Sequence, residues 1–274
     1  MKITTFTALL GALVVSFCAS DGQGAPKPEL WPRWEANDPK STTVLDHAHW
    51  GAFLQKYLVT NHPSGINRVR YGAVTPEDRR ALDGYVAQLS SVRVAGLNRA
   101  EQKAYWINLY NALTVRVILE HYPVKSIRDI RLGGIFSSGP WDAKLVTVEG
   151  EKVSLNDIEH RILRPIWRDN RIHYAVNCAS LGCPNLAPEP FTAVNTDRLL
   201  DEAARAYVNH PRGVSVADGR ITASSIYDWY QVDFATSEKG LIDHFRTFAA
   251  PPLATALAGF SGSYRFQYDW SLNE

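Results

Sequence analysis

Apolar and polar positions change period several times along this chain, and each change predicts an element. Helical spacing begins at Val44, where Val44, His47, Phe53, Leu54 and Leu58 fall on one amphipathic face. Thr75-Pro76-Glu77-Asp78 opens a second helix, with a hydroxyl cap followed by proline at the first helical position, where a missing N–H is harmless. Residues 97–121 form the longest periodic segment. From 104 to 119 that segment is apolar on nearly every side, which predicts a helix packed in the interior. Its polar breaks are Lys103, Asn108, Asn111, Thr114 and Arg116, and Asn108 and Asn111, three apart, share a face.

Residues 144–154 alternate in the strand manner around Gly150, a predicted hairpin. Ser154-Leu-Asn-Asp157 has the pattern of a capping box and starts a short helix to Leu163. Residues 171–177 read as a buried strand running into Cys178, with Ala179, Ser180 and Gly182 turning the chain before Pro184. Further on come an amphipathic helix over 196–210, a hairpin over 213–223 around Asp218-Gly219, and a helix over 237–249. No internal repeat is visible. Helices mixed with short hairpins, instead of regular strand–helix alternation, predict an α+β fold. The expected arrangement is one globular domain over 43–274, with helices around a central buried helix and a small antiparallel or mixed sheet.

Composition narrows the function classes. A 45% hydrophobic content with eight tryptophans in 274 residues is enough to fill a core, which excludes disorder. Lys plus Arg 29 against Asp plus Glu 28 gives a net charge of +1, with no electrostatic footprint for nucleic acid. Residues 1–24 read as a secretory signal: Lys2, an apolar stretch from 3 to 17, then small residues, with cleavage after Ser20 or Gly24. Cys18 invites a lipoprotein reading, but bulky Phe17 stands where such sites want a small residue. The expected location is therefore periplasmic or secreted, with no membrane span after leader removal. Residues 25–42, carrying Pro26, Pro28, Pro32 and Pro39, form a tail or wrapping segment.

Leader removal leaves two cysteines, Cys178 and Cys183, which an oxidising compartment would allow to pair. Cys178, at a tight turn of small residues, would also suit a nucleophile whose pKa and oxyanion are served by turn amides. In the helix before it, Glu159 falls about 40° from Leu155 at ~100° per residue, inside the apolar stripe, and needs a partner such as Arg164 or Arg171. His160 lies on the flank as a candidate general base for Cys178, or as an ordinary helix histidine. His173 is the rival, but five extended residues at ~3.3 Å would hold it roughly 16 Å from the thiol unless the chain bends. Asn108 and Asn111 either tie down a loop or orient the site. Candidate substrate contacts are Asn111, Asn177 and Ser180, with Trp141, Tyr227 and Trp229 as aromatics of a groove, core packing being the alternative. A zinc site is poorly supported by two cysteines alone, and no phosphate loop, nucleophile elbow or carboxylate pair is present. No metal and no cofactor is expected.

Several motifs together resemble the family known as domain of unknown function 547. They are Ala104-Tyr-Trp-Ile-Asn-Leu-Tyr-Asn-Ala112, His121-Tyr-Pro-Val-Lys-Ser-Ile127, Leu155-Asn-Asp-Ile-Glu-His-Arg-Ile-Leu-Arg164, Arg171-Ile-His-Tyr-Ala-Val-Asn-Cys-Ala-Ser-Leu-Gly-Cys-Pro184, Ser225-Ile-Tyr-Asp-Trp-Tyr230 and Asp233-Phe234. The family core would span about 95–236. The resemblance implies no substrate. It implies that plant relatives keep the cysteine matching Cys178 and place serine at Cys183, so that a disulfide is not the general purpose of Cys178. A papain- or transglutaminase-like relation is an analogy only. Ala187-Pro188-Glu189-Pro190 interrupts the family's usual helix start.

Three readings follow. The first is a cysteine-dependent hydrolase or acyltransferase, with Cys178 as nucleophile, His160 as base and Glu159 or Asn108 orienting it. The second is a non-catalytic module binding a peptide or envelope glycan, and the third a thiol/disulfide protein using the Cys178/Cys183 pair. The ligand is a small molecule, a peptide or an envelope component.

Overall fold

Polar caps set several helix starts in the computed structural model of the protein, which describes residues 26–132 and 139–274. The expected leader lies outside the described residues. Helix α1 (Ala48–Tyr57) starts four residues later than its apolar spacing suggested, because Val44 is exposed and takes no part in packing. Strands β1 (Leu58–Val59) and β2 (Arg68–Val69) pair antiparallel behind it. At α2 (Pro76–Ser90) the Thr75 side chain accepts from the Asp78 amide at 3.2 Å, as the sequence predicts.

Helix α3 (Arg99–His121) is the central element, capped by Asn98, with every residue from 101 to 115 buried. Each of its fully buried Leu, Ile or Val side chains contributes on the order of 1.5–3 kcal/mol. Its polar residues fasten neighbouring loops. Gln102 donates to the carbonyls of Ala36 and Val94, and Lys103 pairs with Asp169 at 2.7 Å.

Strands β3 (Val146–Val148) and β4 (Glu151–Val153) form the predicted hairpin, turned by Glu149 and Gly150, both at positive φ. The Ser154 hydroxyl accepts from the Asp157 amide and the Asp157 carboxylate accepts from the Ser154 amide, the expected reciprocal cap. The helix that follows is not regular. Asp157–Leu163 winds as a π-helix and continues into α4 (Arg164–Trp167). The wider turn buries His160 to 3% exposure, where α-helical spacing had put it on the flank.

The predicted strand over 171–177 is corrected. Residues Asn170–Tyr174 form a 3-10 helix, started by the Asp169 side chain accepting from the Arg171 amide at 3.0 Å. A short apolar run carries no period that separates strand from helix, and the cap chose the helix.

Helix α5 (Thr196–Val208) joins two apolar clusters: Leu199 and Leu200 pack with α3, while Ala204, Tyr207 and Val208 pack under a mixed three-stranded sheet. In that sheet β5 (Val214–Ala217) and β6 (Arg220–Ser224) are the predicted hairpin. Helices α6 (Ile226–Trp229), α7 (Gln231–Phe234), α8 (Glu238–Phe248) and α9 (Pro251–Leu257) follow, and β7 (Ser263–Gln267) then pairs parallel with β6. The fold is α+β, as expected. Among the described residues no helix is long and apolar enough to cross a membrane.

Candidate functional site

The segment around Cys178 is held from below by α3. Asn111 donates to the Ala175 carbonyl at 2.9 Å and accepts from the Asn177 amide at 2.8 Å. Asn177 then spans the turn, donating to the Pro184 carbonyl at 2.7 Å and accepting from the Ala179 amide at 2.8 Å. From outside, the C-terminal segment closes over the turn: the amides of Leu181 and Gly182 donate to the carbonyls of Ser271 and Asp269. A Cβ at Gly182 would lie 2.8 Å from the Asp269 nitrogen, so this approach needs glycine. Ala179 adopts φ 58°, the sharp point of the turn.

Cys178 is half-buried and Cys183 buried, and both are free thiols. The Cys178 Sγ lies 2.9 Å from the Cys183 Sγ, 3.3 Å from the Ser180 Oγ and 3.2 Å from the Tyr268 hydroxyl. Ser180 also donates to the Tyr268 oxygen at 3.0 Å, which leaves the Tyr268 proton directed at sulfur. The hydrogen bond from Cys183 lowers the Cys178 pKa, and the Tyr268 hydroxyl, held in place by Ser180, helps against burial and the Glu159 charge. Burial pushes the Cys183 thiol well above its ordinary value, as does the sulfur beside it.

Among the described residues no histidine hydrogen-bonds to the Cys178 sulfur. His160 is engaged elsewhere: its Nδ1 accepts from Arg164 Nη1 at 3.0 Å, and burial, with the guanidinium beside it, lowers its pKa to about 4. Glu159 does not pair with Arg171, which is taken by Asp169, Asp197 and Asp201. Nor does Arg164 pair with it, since that Nε meets Asp233 at 2.5 Å. The partner of Glu159 is His173, with Nδ1 3.4 Å from the carboxylate, while His173 Nε2 bonds Asp233 at 2.7 Å. Burial opposes a charge on His173, but these carboxylates on either side of the ring outweigh it and raise its pKa. Tyr230 stacks on His173 at 4.3 Å between ring centroids and lies under Arg164. Sequence reasoning weighed neither Tyr230 nor Asp233 for this network, although both fall in the later motif.

The turn amides are largely spent. Those of Ala179, Leu181, Gly182 and Cys183 donate within the protein, and that of Cys178 donates to Cys183 Sγ at 3.0 Å. At most one, that of Ser180, is left for an oxyanion, which corrects the expectation of a turn rich in open amides.

Other predicted residues fall apart from the thiols. Asn108 clamps Phe191 through both backbone groups and reaches toward His47, not His160. Tyr227 is fully buried with its hydroxyl against Tyr174. Trp141 and Trp229 are half-exposed and share ring contacts with Trp270, a residue the sequence reading did not select. The alternation Tyr264, Phe266, Tyr268, Trp270 would have signalled it as one face of a strand.

A cleft of about 440 Å³ adjoins the network, lined by Arg164, Arg168, Asp169 and Asp233 together with the apolar Leu30 and Val232. The wrapping segment forms one wall: Glu29 and Trp31 donate to the carbonyls of His160 and Arg161, and Arg164 donates to that of Pro26. No group of three or more His, Cys, Asp or Glu among the described residues is placed to hold a metal ion.

In comparisons with known proteins, residues 94–208 match the model of a family described as protein of unknown function, DUF547. No curated protein and no solved structure matches the chain.

Proposed function

As a member of the DUF547 family this chain inherits no assigned reaction, and we propose its function from the site: Cys178 and Cys183 are a dithiol that exchanges disulfides. The observation that carries this reading is the 2.9 Å between the sulfurs, one half-exposed and acidified, the other buried and kept protonated. That asymmetry suits an attacking and a resolving sulfur.

The Cys178 thiolate attacks one sulfur of a substrate disulfide. A mixed disulfide forms and the other substrate sulfur leaves as thiolate. Cys183 then loses its proton to solvent or to the departing thiolate and attacks Cys178. The second substrate thiolate leaves, the substrate is reduced, and a Cys178–Cys183 disulfide remains. An exported location, supported by the leader-like residues 1–24, would place this pair where disulfides persist. Relatives with serine at the position of Cys183 would keep the attacking sulfur and lose the resolving one.

A hydrolase or acyltransferase reading would keep Cys178 as nucleophile. It is favoured by the acidified thiol alone, because neither an imidazole on the sulfur nor a set of open amides supports it.

The test treats reduced protein with bis(2-hydroxyethyl) disulfide and reads intact mass. Wild type should lose two hydrogens, Cys183→Ser should retain a mixed disulfide on Cys178, and Cys178→Ser should do neither. A wild type that stays reduced in excess reagent would sink the proposal. Cys178-dependent cleavage of an activated ester, undiminished in Cys183→Ala, would favour the hydrolase instead.

A further inference from the structure

Four half-exposed aromatic rings adjoin the reactive sulfur as one contiguous strip of touching rings. It begins at Tyr268, whose hydroxyl is 3.2 Å from Cys178 Sγ. Tyr268 meets Trp270 at 4.6 Å and Trp229 at 4.9 Å between ring centroids, Trp229 stacks on Trp270 at 5.5 Å, and Trp141 meets Trp270 edge-on at 5.7 Å. These rings come from three distant stretches of chain. The contrast with their neighbour Tyr227, buried in the sheet-side core, is informative: segment 225–230 turns Tyr227 into that core and leaves Trp229 half-exposed against Tyr268 and Trp270. The rings lean on the core with one side, and their exposed sides touch one another in a contiguous apolar patch of the kind that marks binding surface.

We infer that this strip is the substrate subsite of the dithiol, and that its ligand is an extended polypeptide segment carrying aromatic or aliphatic side chains beside its disulfide cysteine. The inference rests on the disulfide-exchange reading of Cys178. A disulfide attacked by Cys178 must bring its sulfur up to Sγ, and the chain flanking that sulfur then crosses the adjacent surface. From Tyr268 through Trp270 to Trp141, in centroid steps of 4.6 and 5.7 Å, the strip reaches at most about 10 Å, up to three residues of extended chain at ~3.3 Å each. Glycans could stack on such rings but supply no sulfur for this reaction, and a small disulfide has no flank to reach beyond Tyr268, so the thiol and the strip together select a polypeptide. The rings contribute stacking and apolar contact without a fixed hydrogen-bond code. This predicts a preference for apolar flanks over any single sequence.

Two probes with the same leaving thiol test this. One is bis(2-hydroxyethyl) disulfide; the other is a short synthetic peptide, with leucine and phenylalanine flanking a cysteine blocked as its 2-mercaptoethanol disulfide. Second-order rates are measured in the Cys183→Ser background, where the mixed disulfide persists. The ratio of peptide rate to small-disulfide rate is expected to exceed one and to fall about five- to tenfold in Trp229→Ala and in Trp270→Ala, with Trp229→Phe retaining most of it. A ratio that does not change on removing either ring overturns the inference while leaving disulfide exchange intact. Failure of Cys178 to react with both probes overturns the exchange reading and this inference with it.

Discussion

The sulfur of Cys178 lies 2.9 Å from that of Cys183, and the same contact lowers the first thiol's pKa while it helps raise the second's. Alkylation by iodoacetamide should therefore modify Cys178 alone in native protein, with a pH midpoint below the ordinary thiol range. Cys183→Ala removes the hydrogen bond that does most to stabilise the thiolate and should move that midpoint upward. A midpoint at the ordinary value in wild type, or equal labelling of both cysteines, would exclude an activated pair.

Tyr268 supplies a hydroxyl that the sheet-side strand β7 delivers to the sulfur from 90 residues away, and Ser180 orients it. Tyr268→Phe deletes that donor and keeps the ring. Hydrogen bonds to charged groups are worth about 1.5–3 kcal/mol, so the alkylation rate of Cys178 at neutral pH should fall roughly tenfold. The circular dichroism spectrum should be retained. An unchanged rate would mean that Cys183 and Ser180 hold the thiolate unaided.

What the sequence revealed of this site was local. Thr75 and Ser154 announce their helices because a cap needs only three residues of context, and the two hairpins are legible from Gly150 and Asp218-Gly219 for the same reason. The α3 helix and the thiol turn were equally plain. What failed depended on tertiary context. The apolar run 171–177 has no period, the π-helix at 157–163 has no composition that marks it, and the partners of Glu159 come from residues 173 and, through His173, 233. Placing His160 against Cys178 required knowing how two elements fold back on one another. The helix instead turned His160 toward Arg164.

Asn111 makes two hydrogen bonds to the backbone just before Cys178, to the Ala175 carbonyl and from the Asn177 amide. Asn111→Leu keeps the branched skeleton but strands both backbone groups in the interior, where each costs about 1–3 kcal/mol. Urea unfolding should show a loss of roughly 2–6 kcal/mol, and disulfide exchange should slow as the turn loosens. A loss within experimental error would mean that the turn is held by Asn177 and the C-terminal segment alone.

Stability against pH should peak near the ordinary histidine pKa, and the sign follows from which state holds more protons. His47, His160 and His244 are buried, which lowers each from 6.5 to about 4. Between those values the unfolded chain binds protons that the native one refuses, so stability rises as pH climbs from about 4 to 6.5, by up to ~3 kcal/mol per imidazole. His173 acts in the opposite sense: its raised pKa gives stability that is complete below 6.5 and fades as pH rises through its native value. Glu159 and Asp233, lowered to about 2 by the cations around them despite burial, hold their contribution above the ordinary carboxylate range and lose it as pH falls through about 2. Melting temperatures from pH 4 to 9 should thus rise, crest and decline. His160→Gln, which keeps an acceptor for Arg164, should make the acid limb shallower by about a third, since His47 and His244 remain. His173→Gln should remove the alkaline decline and cost about 3–5 kcal/mol at neutral pH, because Glu159 is left as a buried charge without its partner. A melting temperature indifferent to pH between 4 and 6.5 would mean that these imidazoles reach solvent.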